Sequence, residues 1–334
     1  MAILQSTTIS GSNANTGSLQ VTGSTVIFPL IESSLTSSFS GSGKMWINAD
    51  TQNLQYSINT SLGTVNSPAR FLGAFSVGGV LTEGRYSGAN MGLSQNASAV
   101  AGGADGSSSP YSTNKTEEYN GTSWSDGGNL STTRYAVRGA GTPTAGLAFG
   151  GVAGGAAQSA TEEYNGTSWA NGGSLPTATC APGGAGFQDA AIMAGGRTPT
   201  IVNTSFEYNG SSWSSGNTLN QARCDLHGAG TQNSTLFVGG RNGPGLTCTE
   251  CYDGTTFNVT NPITRATYGT SASGDSNASV WYGGYDLGNA TSYIRTNEWN
   301  GLTFIEGNAM VIKKYAPIGT GTQASGLAVG GYTP

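Results

Sequence analysis

Charge is scarce in this sequence. Asp, Glu, Lys and Arg together make up 9% of it, against about a quarter in an ordinary globular chain. Eighteen acidic and thirteen basic residues leave a net charge of −5. That is too little for charge-driven disorder, and the basic count is too low for a nucleic-acid footprint, so no nucleic-acid partner is expected. Histidine occurs once, as His227. A His-based triad therefore has one possible centre, and a copper site built on two imidazoles is excluded. Cysteine occurs four times. Cys248 and Cys251 form a C-x-x-C with no second pair, two ligands short of a structural zinc site, and three-residue spacing along a strand sends the two thiols to opposite faces. They are expected to be packing residues, with no metal and no cofactor. Long apolar runs are missing too. The longest, Val26 to Ile31, is interrupted by Pro29 and is too short to span a bilayer. The start, Met1-Ala2-Ile3-Leu4-Gln5-Ser6, has neither a basic nor a long apolar segment, so a soluble chain without a secretory leader or membrane insertion is expected. Glu, Lys and Leu are thin, which argues against helical bundles.

Glycine is what the chain has in quantity: 54 of 334 residues, set among Ser, Thr and Asn with scattered aromatics. No triplet period runs through it, so collagen is excluded, and the composition reads as many short strands joined by tight turns. The length allows one large domain or two ordinary ones.

Self-similarity organises most of the chain. A Gly-Gly pair after a short apolar run recurs six times, ending at Gly103, Gly151, Gly196, Gly240, Gly284 and Gly331, at intervals of 44 to 48 residues. That period is the length of a four-stranded blade. Between the pairs lies Glu118-Tyr119-Asn120-Gly121-Thr122-Ser123-Trp124, repeated from Glu163 to Trp169 and from Glu207 to Trp213, with weaker copies at Cys251–Phe257 and Glu298–Phe304. Asn-Gly or Asp-Gly between aromatic-bearing segments predicts a hairpin with a type I′ turn, its two aromatics packing between sheets. A Gly-Ala-Gly follows at Gly139–Gly141, Gly184–Gly186 and Gly228–Gly230, with Gly319-Thr320-Gly321 as a variant. Glycine in a strand interior suits a place where another backbone comes close, as innermost propeller strands do.

Gly-Gly after an apolar strand, then Tyr and Trp a few residues apart, then an Arg-bearing turn, resembles the kelch repeat, over roughly residues 70–334. The Tyr-to-Trp spacing is shorter than in the usual kelch unit. The resemblance implies an all-β fold, a β-propeller with one four-stranded sheet per blade. The last copy stops at Gly330-Gly331-Tyr332-Thr333-Pro334, without outer strands. Upstream, Arg70 to Arg85 aligns with the stretch ending at Arg134: Phe71 falls on Tyr119, Phe75 on Trp124, Leu81 on Leu130 and Arg85 on Arg134. A six-bladed kelch-like propeller is therefore expected, its last blade closed by strands from both ends of the chain, which removes free sheet edges.

Residues 1–69 form a small Ser/Thr/Gly-rich β module by this reading. Alternation at Leu19–Ile27 suggests a strand, and Lys44–Tyr56 suggests a hairpin around Asp50 to Asn53. So polar a segment has little apolar area to offset chain entropy and is expected to order on a partner or in an oligomer. It is similar to the N-terminal modules of tailed-phage fibre and decoration proteins, and the Thr-Glu-Glu-Tyr-Asn-Gly-Thr-Ser-Trp copies resemble kelch-like repeats of phage virion proteins. The resemblance implies a non-enzymatic structural protein at the virion surface, attached to other virion proteins through residues 1–69, present as a homo-oligomer or in many copies, and adhering to a host glycan or receptor. A purely structural decoration role and a polysaccharide-degrading enzyme are the alternatives.

No catalytic residue is assigned. Glu118, Glu163, Glu207 and Glu298 repeat at one strand position and are expected to pair structurally with Arg85, Arg134, Arg223 and Lys314. Cys180 and Cys224 share a repeat position held elsewhere by Tyr135, Tyr268 and Tyr315, and are expected to be free thiols. Ligand binding is expected on the variable connections between second and third strands (104–116, 152–160, 197–204, 241–247 and 285–294), where loops ride on a rigid scaffold. The candidate side chains are Tyr111, Arg197, Arg241, Tyr285 and Tyr293, suited to stacking on a sugar and bonding its hydroxyls.

Overall fold

Each complete repeat folds into one antiparallel sheet of four strands in simple sequence order. The computed structural model describes residues 75–106, 111–286, 291–292 and 294–333, and the backbone of four earlier strands. The chain divides into two compact units, Met1–Phe71 and Leu72–Pro334.

In the first unit, Leu30–Ile31 pairs in parallel with Met45–Asn48, which forms a hairpin with Asn53–Ile58, followed by Ser61–Pro68. The Met45↔Tyr56 and Ile47↔Leu54 register matches the hairpin expected there. The strand expected at Leu19–Ile27 lies outside the described residues.

The second unit is a β-propeller with five four-stranded blades, and no helix occurs among the described residues. Blade A comprises Ala89–Ser94, Ala97–Ala101, Thr116–Tyr119 and Trp124–Asp126. Blade B comprises Arg138–Thr142, Ala145–Phe149, Thr161–Tyr164 and Trp169–Asn171. Blade C comprises Gly183–Phe187, Ala190–Ala194, Ser205–Tyr208 and Trp213–Ser215. Blade D comprises His227–Thr231, Ser234–Val238, Thr249–Tyr252 and Phe257–Val259. Blade E comprises Ser271–Gly274, Ser279–Tyr282, Thr296–Trp299 and Phe304–Glu306.

Among the described residues the expected sixth blade does not show four strands. Its sector holds a two-stranded sheet, Ile318–Gly321 with Gly326–Val329, packed between the innermost strands of blades E and A. Residues 75–80 form no ladder, although their side chains dock as the repeat alignment requires. Phe75 meets Tyr282 edge-on at 6.0 Å, as Trp213 meets Phe149 at 5.1 Å. Leu81 packs on Val100, Trp124 and Val329, and Gly331 N–H donates to the Arg85 carbonyl as Gly103 N–H does to that of Arg134. In the complete blades an Asn or Asp opens the hairpin loop, and its Oδ1 accepts two backbone N–H bonds, as Asn165 does from Thr167 and Ser168 at 2.9 Å each. In the repeat alignment the orphan segment has Leu72 at that position, a side chain with no acceptor for such bonds.

The same bonds correct the turn type. Tyr119 lies opposite Trp124 and Tyr164 opposite Trp169, so the loop holds four residues, not two. Gly121 has φ +92° while Asn120 is absent from the positive-φ residues. The turn is an Asx-capped four-residue loop and not type I′.

Packing between blades uses the repeated aromatics. Tyr164 and Trp169 stack at 4.8 Å. Trp169 Nε1 reaches back to the Gly128 carbonyl and Thr116 Oγ1, both at 2.9 Å. One cluster joins Leu147 and Phe149 of blade B to Met193, Tyr208 and Trp213 of blade C.

The expected carboxylate pairing is off by one residue in two blades and falls on a different blade's glutamate in the third. Arg85, Arg134 and Arg223 pair with Glu117, Glu162 and Glu250, all buried, and not with Glu118, Glu163 and Glu207. Adjacent strand residues face opposite ways. Glu118 and Glu163 therefore look toward the next blade, where they accept the phenol protons of Tyr164 and Tyr208 at 2.6 Å each. Glu207 accepts that of Tyr252. Lys314 points its ammonium at the Gly331 carbonyl, 3.5 Å away.

Candidate functional site

Each innermost strand is entered through a residue in the left-handed region: Ser87, Ala136, Ala181, Asp225, Gly269 and Ala316, with φ between +48° and +61°. Their backbones bond one to the next around the axis. Ser87 N–H donates to Ala316, Ala316 to Gly269, Gly269 to Asp225, Asp225 to Ala181 and Ala181 to Ala136. This belt rims one end of the channel. Beyond it the channel wall is Gly-x-Gly backbone from 139–141, 184–186, 228–230 and 319–321.

The Gly-Gly pairs close the second strands at the belt end. A side chain at Gly150 (φ +65°) would stand 2.5 Å from the Thr179 carbonyl, and at Gly151 (φ +98°) 2.9 Å from that of Tyr135. The variable connections therefore leave from this end. Each begins with a residue bridged to the one just before the belt: Tyr86 to Ala104, Tyr135 to Val152, Cys180 to Arg197, Cys224 to Arg241, Tyr268 to Tyr285 and Tyr315 to Tyr332.

Over half of this face the bridged residues form an aromatic cluster. Tyr268 and Tyr285 lie 5.7 Å apart, Tyr268 and Tyr315 5.7 Å, Tyr285 and Tyr315 6.0 Å, and Tyr86 meets Tyr332 at 5.7 Å. Arg241 sits over the Tyr268 ring at 4.9 Å and donates from Nε to Asp225 Oδ2 at 2.6 Å. Burial, then the Asp225 charge, pushes the Tyr315 phenol up, and burial does the same at Tyr268 and Tyr86. All three stay protonated hydrogen-bond donors at neutral pH. Tyr332 remains half exposed and Tyr285 partly so, leaving ring surface open for stacking.

Of the five candidates, Arg241 and Tyr285 belong to this cluster. Arg197 lies exposed on the same rim, bridged to Cys180. Tyr111 is 57% exposed on the long blade A connection, and none of the ring contacts among the described residues includes it. Tyr293 lies outside the described residues. Asp225, Tyr86, Tyr268, Tyr315 and Tyr332 were missed as site residues. Repeat phase carried the signal: Tyr86, Tyr268 and Tyr315 share one repeat position, and equivalent positions in a ring meet around the axis.

The thiols are free, as expected. Cys180 donates to the Arg197 carbonyl and Cys224 to Asp225. Burial and Asp225 push the Cys224 thiol up to about 12, far from a nucleophilic thiolate. No cluster of metal-ligating side chains occurs among the described residues.

His227, at the start of the innermost strand of blade D, is 4% exposed and edge-on to Trp281. Burial first, then the Arg138 charge, lowers its pKa from 6.5 to about 3. An imidazole that stays neutral in the fold but protonates once unfolded makes stability fall as pH drops from about 6.5 toward 3. His227→Gln is expected to flatten the stability–pH curve over that window by up to about 1.4 kcal/mol per pH unit. Urea unfolding of both proteins at several pH values checks this; parallel curves would contradict it.

The chain matches no protein-family model, and no curated protein. Among solved structures it is similar to the one titled "Structure of YjhT", with 12% sequence identity, a TM-score of 0.62, and coverage of 77% of this chain and 94% of that one. That likeness concerns the propeller fold alone.

Proposed function

We propose that this chain is a non-enzymatic virion protein of a phage, a kelch-type propeller that offers its belt-end face to neutral glycans of the host surface while residues 1–69 attach it to other virion proteins. The observation that carries the reading is the tyrosine cluster around Arg241. Neutral phenols beside a guanidinium suit the apolar faces and hydroxyls of a sugar. Other features support it. Glu117, Glu162 and Glu250 are used in ion pairs, Glu118, Glu163 and Glu207 in phenol bonds, and the one histidine is buried and neutral, which leaves little for acid–base catalysis. An open face of this kind binds weakly, and many copies on a particle would supply avidity.

Glycan-array binding by the full chain tests the reading. Wild-type protein is expected to bind a subset of neutral glycans, and Arg241→Ala to weaken that binding about tenfold or more, as loss of a central anchor does. A protein that binds no glycan yet stays on purified particles would support the decoration role instead. Falling viscosity of a host polysaccharide would point to an enzyme.

A further inference from the structure

Just inside the belt, the channel narrows to a recess lined by Ser87, Arg138, Asp225, His227, Thr270 and Ile318 among others. Arg138 is the side chain of interest. It begins the innermost strand of blade B, and its equivalents around the ring are Ala89, Gly183, His227, Ser271 and Ile318. It is 7% exposed, yet it is absent from the buried arginine–glutamate pairs that neutralise Arg85, Arg134 and Arg223. Its Nη atoms reach only the carbonyls of Val137 and Leu226, at 3.3 and 3.4 Å, and its Nε has no partner. Thr270 Oγ1, in the same recess, is also buried and unpaired. The one carboxylate lining the recess, Asp225, is engaged by Arg241 at 2.6 Å. Two guanidinium groups thus share one carboxylate, leaving a unit of positive charge in a nearly closed space.

A buried cation without a counter-charge is costly, as is a buried donor without an acceptor. Both are relieved by one small anion that accepts from Arg138 Nε and Thr270 Oγ1. We propose that the recess is an anion site, occupied by a halide held by Arg138 and Thr270. The space has room for about one water-sized group, which excludes phosphate, sulfate and sugars. The site is independent of the glycan reading: it lies inside the belt, whereas the tyrosine cluster faces outward from it. Neighbouring groups are compatible with it. His227 is neutral, and the Tyr315 phenol is protonated. An anion would cancel the part of the His227 depression that comes from Arg138, leaving that from burial.

Crystals of the full-length protein soaked in sodium bromide test the site directly. An anomalous peak in contact with the Arg138 guanidinium is expected, and a recess that holds water alone at high bromide overturns the proposal. Thermal unfolding at fixed ionic strength separates a specific ion from an adventitious one. Replacing fluoride by chloride or bromide is expected to raise Tm by about 3 °C per tenfold increase above Kd. Arg138→Met is expected to abolish that dependence and Thr270→Val to weaken it. Equal halide dependence in both variants and wild type would overturn the assignment. A Tm rise with acetate but not with bromide would likewise overturn the halide assignment.

Discussion

Replacing Arg134 by Met is expected to lower the unfolding free energy by about 3–5 kcal/mol, the usual cost of stranding one member of a buried ion pair. Arg134 is fully buried, bonds Glu162 Oε1 at 2.7 Å, and donates to the Gly150 and Ala160 carbonyls at 3.0 and 2.9 Å. It thus ties the entry of blade B to its third strand and to the end of its second. Burial pulls its pKa down and Glu162 pulls it back up, so the carboxylate keeps the charge tolerable. With Met there, Glu162 remains buried with only the Ser131 N–H to stabilise it. Blade C shows that the pair is replaceable as a unit. At the two equivalent positions it carries Thr179 and Phe206, both buried. The double variant Arg134→Thr with Glu162→Phe is accordingly expected to regain most of what the single variant loses. Denaturant unfolding of the single and double variants checks both statements. A double variant as unstable as the sum of its parts would show that the pair does more than satisfy itself.

Gly139→Ala is the second large effect, a loss of about 3 kcal/mol from overpacking. A methyl there would stand 2.4 Å from the Asn90 carbonyl oxygen and 2.6 Å from its nitrogen. Both are backbone atoms of the neighbouring innermost strand, which cannot rotate away. The same crowding recurs at Gly319, 2.3 Å from the Ala272 carbonyl, and at Gly228, 2.9 Å from that of Gly184. Gly84→Ala is the control, since nothing lies within 4 Å of a side chain there, and it is expected to stay within about 0.5 kcal/mol of wild type. Comparable losses in both variants would mean that the close approach of backbones does not explain the glycines.

Much of the fold was legible because a repeat states its local rules several times. The Gly-Gly interval, the aromatic hairpin and the Gly-x-Gly strands all fell where the pattern put them. Arg241 and Tyr285 open variable connections, and the Gly-Gly pairs deliver every such connection to one end of the channel. Tyr268 and Tyr315 were seen as a repeat position but not as site residues. Residues about 45 apart in sequence share a site only because the ring brings equivalent positions together, and periodicity does not say how close.

By itself the sequence determined the strand content, the blade period, the hairpin sites and the places where backbones must touch, because each depends on the conformational range or apolar spacing of neighbouring residues. Tertiary structure alone decided which glutamate of an adjacent pair turns inward to arginine and which outward to the next blade's tyrosine, since a one-residue step reverses a strand's face. It also decided that the last sector, among the described residues, keeps two strands, with Phe75 and Leu81 docked on their neighbours without a ladder. And it left Arg138 as a buried charge, a fact visible only once the ring had closed around it.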